Sequence, residues 1–264
     1  MRQKLGQHFL NDLNVIKTAV INLPKPTDDL LVVEVGPGQG VLTRELLNAG
    51  YQVLAIEWDE ELLASLQAEF SGQKRLHLIN ADIRTFDLVK QIKSLKFSRY
   101  VIAANLPYYL SSYFLRSVFG YQLLPEKMVL LLQQEVAQRL AAEVGSKKRS
   151  TLSILAQSYC RPEVILSVPA SSFTPPPKVT SALVEMDQIK NPFKSNEESK
   201  RFFRVVKAGF GEKRKTIINS LAGGMHLEKD EIGLMLSELK IDSTLRAEDL
   251  SIEQWRKLTQ EFEI

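Results

Sequence analysis

The sequence predicts an α/β chain: a parallel sheet with helices on both faces, followed by a smaller all-α segment. Three observations predict it. Short apolar runs alternate with amphipathic stretches through the first two thirds of the chain. A glycine-rich turn joins the first strong apolar run to a helical pattern. After Lys190 the strand pattern stops and helical periodicity alone continues.

Residues 30–35 read as an apolar strand broken only by Glu34, and residues 41–49 as a helix ending at Gly50, a natural C-cap. A strand at 52–56 precedes a helix at 60–70, with Asp59 placed to cap it. Segments 76–79, 100–103 and 128–132 read as further strands buried on both faces, with helices at 111–119 and 135–143. A helix at 150–159 leads to strands at 163–168 and 181–186, joined by a bend at Pro175, Pro176 and Pro177. The polar stretch 187–196 is a linker candidate. Beyond it, helices are expected at 197–208, 214–221, 229–239 and 252–262. The expected domains are therefore residues 1–190 and 191–264.

Composition narrows the class. The 264 residues are 44% hydrophobic and 25% charged, as in ordinary globular proteins. No apolar run approaches the roughly 18 residues of a membrane-spanning helix. The N-terminus shows no apolar signal core, so a cytoplasmic protein is expected. A single cysteine, Cys160, forbids an internal disulfide and reads as a small buried hydrophobe. The net charge is only +3, but nine Lys/Arg face three Glu between Lys190 and Ser220. A local basic surface on a near-neutral body suits RNA docking, although a solvated helix face has the same composition.

The turn from Glu34 to Gly40 reads Glu-Val-Gly-Pro-Gly-Gln-Gly. Its Gly36, Gly38 and Gly40 depart from the G-x-G-x-x-G spacing of dinucleotide sites, where a helix N-terminus receives a pyrophosphate. An acid beside the turn suits a ligand with an ammonium group. Glu57 ends the next strand, where a carboxylate can hold two ribose hydroxyls. Asp82 follows the third strand and can read an adenine amino group. Each alone is an ordinary loop residue. In order at successive strand ends, they point to S-adenosylmethionine, with S-adenosylhomocysteine as product, and to no metal. The fold expected is thus a Rossmann-like, class I S-adenosylmethionine-dependent methyltransferase domain with an all-α appendage.

Asn105-Leu106-Pro107-Tyr108 follows the fourth strand. Asn and Pro also make plain turns. The chemical reading is an acceptor site for an exocyclic amino group. The Asn105 side-chain oxygen and a nearby backbone carbonyl can accept its two N–H bonds and aim the nitrogen at the methyl group. Tyr108 offers a face for an extruded base. Similar loops occur in amino-group methyltransferases acting on DNA, RNA and protein, so the loop defines the nitrogen better than the polymer.

The residues resemble one family. The segment from Lys4 to Leu10 (Lys-Leu-Gly-Gln-His-Phe-Leu) is similar to its N-terminal signature, and Phe173-Thr-Pro-Pro-Pro-Lys-Val179 follows in order. Lys213-Arg214-Lys215-Thr216, continuing to Asn219-Ser220-Leu221, matches its basic C-terminal signature. The family is the bacterial small-subunit ribosomal RNA dimethyladenosine transferases. The resemblance implies dimethylation of two adjacent adenines in the 3′-terminal loop of 16S ribosomal RNA, within an assembling 30S particle. It implies cofactor contacts at His8, Leu10, Gly36, Glu57, Asp82 and Asn105, and Phe173 near the target base. From the residues themselves, Phe173 reads equally as a core anchor. Leu5 and His8 stand where the family more often has Phe and Asn.

Candidate RNA contacts are Arg2 and Lys4, the Lys147-Lys148-Arg149 loop, and the basic side of the 197–208 helix, with Lys200, Arg201, Arg204 and Lys207. Lys213, Arg214, Lys215 and Arg246 extend the set. A monomer is expected. Two alternatives share the fold: a macrolide-resistance-type methyltransferase of 23S ribosomal RNA, and a non-catalytic ribosome assembly factor.

Overall fold

The computed structural model describes residues 8–212 and 214–262, so Arg2, Lys4 and Lys213 lie outside the described residues. In chain order the elements are β1 (Phe9–Leu10), α1 (Leu13–Ile21), β2 (Leu30–Val35), α2 (Val41–Asn48), β3 (Gln52–Glu57), α3 (Glu60–Glu69), β4 (Leu76–Asn80), α4 (Leu88–Ser94), β5 (Arg99–Asn105) and α5 (Ser111–Phe119). Then come β6 (Met128–Gln133), α6 (Gln134–Leu140), α7 (Thr151–Tyr159), β7 (Arg161–Val168), β8 (Phe173–Thr174), β9 (Ser181–Asp187), α8 (Asn196–Gly209), α9 (Ile217–Met225), α10 (Lys229–Glu238) and α11 (Ile252–Gln260).

The main sheet has strand order β4-β3-β2-β5-β6-β9-β7. Its first five strands are parallel, whereas β9 runs antiparallel to both β6 and β7. The parallel sheet expected from the strand–helix alternation is thus present, and the last two strands extend it in antiparallel fashion. β7 and β9 are joined by a loop without a crossover helix, and such a connection closes an antiparallel pair. β4 also departs from expectation: as the other edge strand, its apolar residues are only half-buried. Helices α1 and α4 were not expected. The first is rich in β-branched residues and the second is one short segment, so neither shows strong helical periodicity. Asp12 and Asp87 cap them by accepting backbone N–H bonds.

Alternate residues along the strands build the core. Leu30 and Val32, Val53 and Ala55, Val101 and Ala103, and Val129 and Leu131 turn to one face. There they meet Val15 and Ala19 of α1 and Leu46 and Leu47 of α2. Cys160 is buried, and burial pushes its thiol up to about 12.

The chain divides into two compact units, residues 1–137 with 160–190, and residues 138–159 with 191–264. The sequence expectation had a single cut after residue 190. The difference lies in α7, which packs with α8 and α11. Tyr159 meets Phe193 at 5.7 Å and Phe203 at 6.5 Å between ring centroids. Gln157 donates to the carbonyls of Leu140 and Ala142 at 3.0 and 2.8 Å. Secondary structure in this second unit is helical among the described residues. α9 begins at Ile217 rather than at 214, because Thr216 is its extended N-cap residue. α6 ends at Leu140, three residues before the expected end.

Candidate active site

The carboxyl ends of β2, β3, β4 and β5 surround a cavity of about 810 Å³ in the first unit. Gly36, Gly38 and Gly40 make the β2–α2 turn with φ of +68°, +58° and +73°. Two of these positions are also closely approached by side chains. A Cβ on Gly38 would stand 3.2 Å from the Phe9 ring, and one on Gly40 would stand 2.7 Å from Leu66 Cδ2. Gly36 and Gly38 line the cavity. Gly40 does not, because it is buried against α3, so its part is to shape the turn.

Three acids reach this cavity in different states. Glu34 is only 1% exposed and accepts a hydrogen bond from Thr43 Oγ1 at 2.6 Å. Burial, reinforced by the nearby Glu57 carboxylate, pushes its pKa up to about 8. Glu57 accepts the Gly38 N–H on Oε2 at 3.2 Å, and the Trp58 and Asp59 N–H groups on Oε1 at 2.9 and 3.0 Å. Burial raises its pKa and those three bonds oppose the rise. Asp82 is held below the usual carboxylate range by Arg84, whose Nε donates to both of its oxygens.

Asn105 ends β5 and is oriented by the segment before β1. Its Nδ2 donates to the His8 carbonyl at 3.4 Å, so Oδ1 is the amide's acceptor for another partner. The Pro107 carbonyl accepts from Leu110 N–H at 2.9 Å. The Leu106 carbonyl has no bonded donor among the described residues, while its side chain is buried. Tyr108 hydroxyl and Ser181 Oγ lie 2.9 Å apart, and the Tyr108 ring stacks with His8 at 6.0 Å. His8 Nδ1 is 2.7 Å from the Pro175 carbonyl; a carbonyl only accepts, so Nδ1 carries the proton. β1 pairs with β8, Phe9 opposite Thr174 and Leu10 opposite Phe173.

The structure therefore brings His8, Leu10, Glu34, Gly36, Gly38, Glu57, Asp82, Asn105, Leu106, Pro107, Tyr108 and Phe173 to one cavity. Phe173 is buried in the core cluster as well as lining the cavity, so it is an anchor in this structure. Sequence reasoning missed Trp58, Arg84 and Tyr109, which also line it. Their signal was position alone: Trp58 directly follows Glu57, and Tyr109 directly follows Tyr108.

In the second unit Lys147, Lys148, Arg204, Lys207, Arg214, Lys215 and Arg246 are exposed. Arg149 is not. It is 5% exposed, with Nε and Nη2 unpartnered among the described residues, which removes it from a surface RNA set. Its backbone N–H bonds to Ser146 in the turn before α7, and that turn carries the side chain inward. Arg201 is half-buried, with Nε enclosed. Lys200, Arg204 and Lys207 keep the exposed side of α8, opposite buried Phe202, Val205 and Val206.

The family model described as ribosomal RNA adenine dimethylase matches residues 1–263. The chain belongs to that family. Among ribosomal RNA adenine dimethylase relatives, the small subunit methyltransferase A of Dehalococcoides mccartyi is 40% identical over 99% of this chain and 88% of its own. The crystal structure of a dimethyladenosine transferase from Plasmodium falciparum aligns with TM-score 0.80 and 25% identity over 97% of each chain. That of the 23S rRNA methyltransferase ErmE aligns with TM-score 0.74 and 24% identity, over 96% of this chain and 98% of its own, a likeness of fold.

The site of this dimethylase chain fits S-adenosylmethionine. A Cβ on Gly36 would meet nothing within 4 Å, so the turn leaves room beside β2. The cavity's acids, Glu34, Glu57 and Asp82, are accompanied by the single arginine Arg84, already bonded to Asp82. Such a lining suits a cationic sulfonium and ammonium and not a pyrophosphate.

Proposed function

We infer that this chain dimethylates the exocyclic N6 of two adjacent adenosines in the 3′-terminal loop of 16S ribosomal RNA, acting as a monomer in the cytoplasm on an assembling 30S particle. The orientation of Asn105 carries the reading. With one Nδ2 N–H directed at the His8 carbonyl, the amide presents Oδ1 as an acceptor at the cavity, the arrangement an adenine amino group needs. Family membership and the small-subunit name of the relative support the RNA.

S-adenosylmethionine, when bound, supplies a methyl group on a sulfonium that leaves as a neutral thioether. Glu57 would hold a ribose hydroxyl through the lone pair left on Oε2, Asp82 would accept from the adenine amino group of the cofactor, and the neutral Glu34 carboxyl would lie near its ammonium end. Asn105 Oδ1 and the Leu106 carbonyl would accept the two N–H bonds of the target amino group. That geometry draws the nitrogen lone pair out of the ring and aims it at the methyl carbon. Tyr108, fixed by Ser181 and His8, would stack on the target base. The proton lost from nitrogen after transfer can pass to water. Lys147, Lys148, Arg204, Lys207, Arg214, Lys215 and Arg246 would contact phosphates.

Labelled methyl transfer to purified small and large ribosomal subunits tests the reading. Label in small-subunit RNA alone is expected. Label confined to large subunits would transfer the chain to the macrolide-resistance type, and no label in either would favour a non-catalytic assembly factor.

A further inference from the structure

Tyr109 is 72% exposed, and its ring and hydroxyl have no hydrogen-bond or ring partner among the described residues. Yet it lines the same cavity as Asn105 and Tyr108 and adjoins them in the chain. Arg84 shares that rim. Its Nε and Nη2 are bonded to Asp82, which leaves Nη1 without a partner among the described residues, and its side chain is 52% exposed. Tyr113 hydroxyl donates to the Arg84 carbonyl at 2.9 Å and steadies this part of the rim.

The inferred substrate is a polymer, which dictates what must lie here. A base whose amino group reaches Asn105 enters the cavity, so the nucleotide next to it in the RNA lies at the mouth. A nucleotide presents a π face and an anion. The rim presents an unpartnered aromatic ring and an uncommitted guanidinium nitrogen. We propose that Tyr109, with Arg84 beside it on the rim, forms a stacking subsite for the nucleotide adjoining the adenosine being methylated. The occupant is single-stranded RNA continuous with the target base, and the subsite rests on the function inferred above. Stacking on an aromatic side chain tolerates any base, so Tyr109 would add affinity and register and no sequence reading.

The test compares wild type with Tyr109→Ala and Tyr109→Phe. Initial rates of methyl transfer are read against the concentration of unmethylated small subunits, and S-adenosylmethionine affinity is read by calorimetry. Tyr109→Ala is expected to raise KM for the subunit roughly tenfold. Its kcat should stay within about threefold, with cofactor affinity unchanged. Tyr109→Phe keeps the ring and should restore KM to near the wild-type value. A KM for the alanine variant within about twofold of wild type overturns the subsite. So does a phenylalanine variant as impaired as the alanine one, or a loss seen only in kcat or in cofactor affinity. If wild type labels no small-subunit RNA, the functional reading fails and the subsite with it. If wild type is active and Tyr109→Ala matches it, the subsite alone fails.

Discussion

Glu34 holds a proton that the unfolded chain would release. Its pKa stands near 8 in the folded protein against 4.5 for an ordinary glutamate, mainly through burial. A carboxyl raised in this way favours folding fully below about pH 4.5 and loses that contribution as pH climbs toward 8. Glu34→Gln has no such loss. It should gain stability relative to wild type, on the order of 3 kcal/mol between about pH 5 and pH 8. Urea midpoints at the two pH values measure this, and parallel behaviour of the two proteins would contradict it. In the proposed reaction Asn105 acts at the nitrogen and not on the polymer. Asn105→Ala should therefore abolish methyl transfer while small-subunit binding stays within a few-fold, as read by filter binding beside the activity assay. Wild-type turnover in that variant would remove Asn105 from the reaction. These residues were legible in the sequence because chemistry requires their types at strand ends. The protonation of Glu34 was not, because it depends on burial in the folded core, reinforced by the nearby Glu57 and opposed by the Thr43 hydrogen bond. Nor was the hold on Asn105, which comes from a residue 97 positions away.

At the scale of elements, close approaches decide tolerance. Gly224 of α9 faces α8 so tightly that a Cβ would stand 2.7 Å from Ala208 Cβ, and Gly209 of α8 lies against the Trp255 ring of α11. Gly209→Val should force these helices apart and cost about 2 kcal/mol or more. Chemical denaturation should show it as a lower midpoint for the helical unit, with S-adenosylmethionine binding retained. An unchanged midpoint would mean that the packing yields at little cost. The strands β2, β3, β5 and β6 were readable because burial on both faces makes their sequences continuously apolar. The direction of β9 was hidden, since an apolar run looks the same in parallel and antiparallel pairing. α1 was hidden for a related reason: Val15, Ile16, Val20 and Ile21 favour strands until the Asp12 cap and tertiary packing make a helix of them.

For the molecule as a whole, charge is uneven where the total is nearly balanced. The net +3 conceals the basic stretch around α8 and the turn before α9. Lys215 bonds to Glu212 at 3.0 Å, an exposed pair that a phosphate can displace at little cost. Reversing Arg214 and Lys215 to Glu should weaken small-subunit binding and reduce the slope of log affinity against log salt by roughly 1.5. Arg149→Met should leave that slope unchanged, because the side chain is inside the protein. An unchanged slope in the double reversal, or a reduced one in Arg149→Met, would contradict this division. Basic residues are visible in any sequence; which of them face water is not, and Arg149 shows the difference. Methylation of adenine N6 in small-subunit RNA at this cavity is tested by nucleoside analysis of unmethylated small subunits after incubation with the protein and labelled S-adenosylmethionine. Label is expected in N6,N6-dimethyladenosine at two adjacent positions near the 3′ end. Label in another nucleoside, or none, would contradict it.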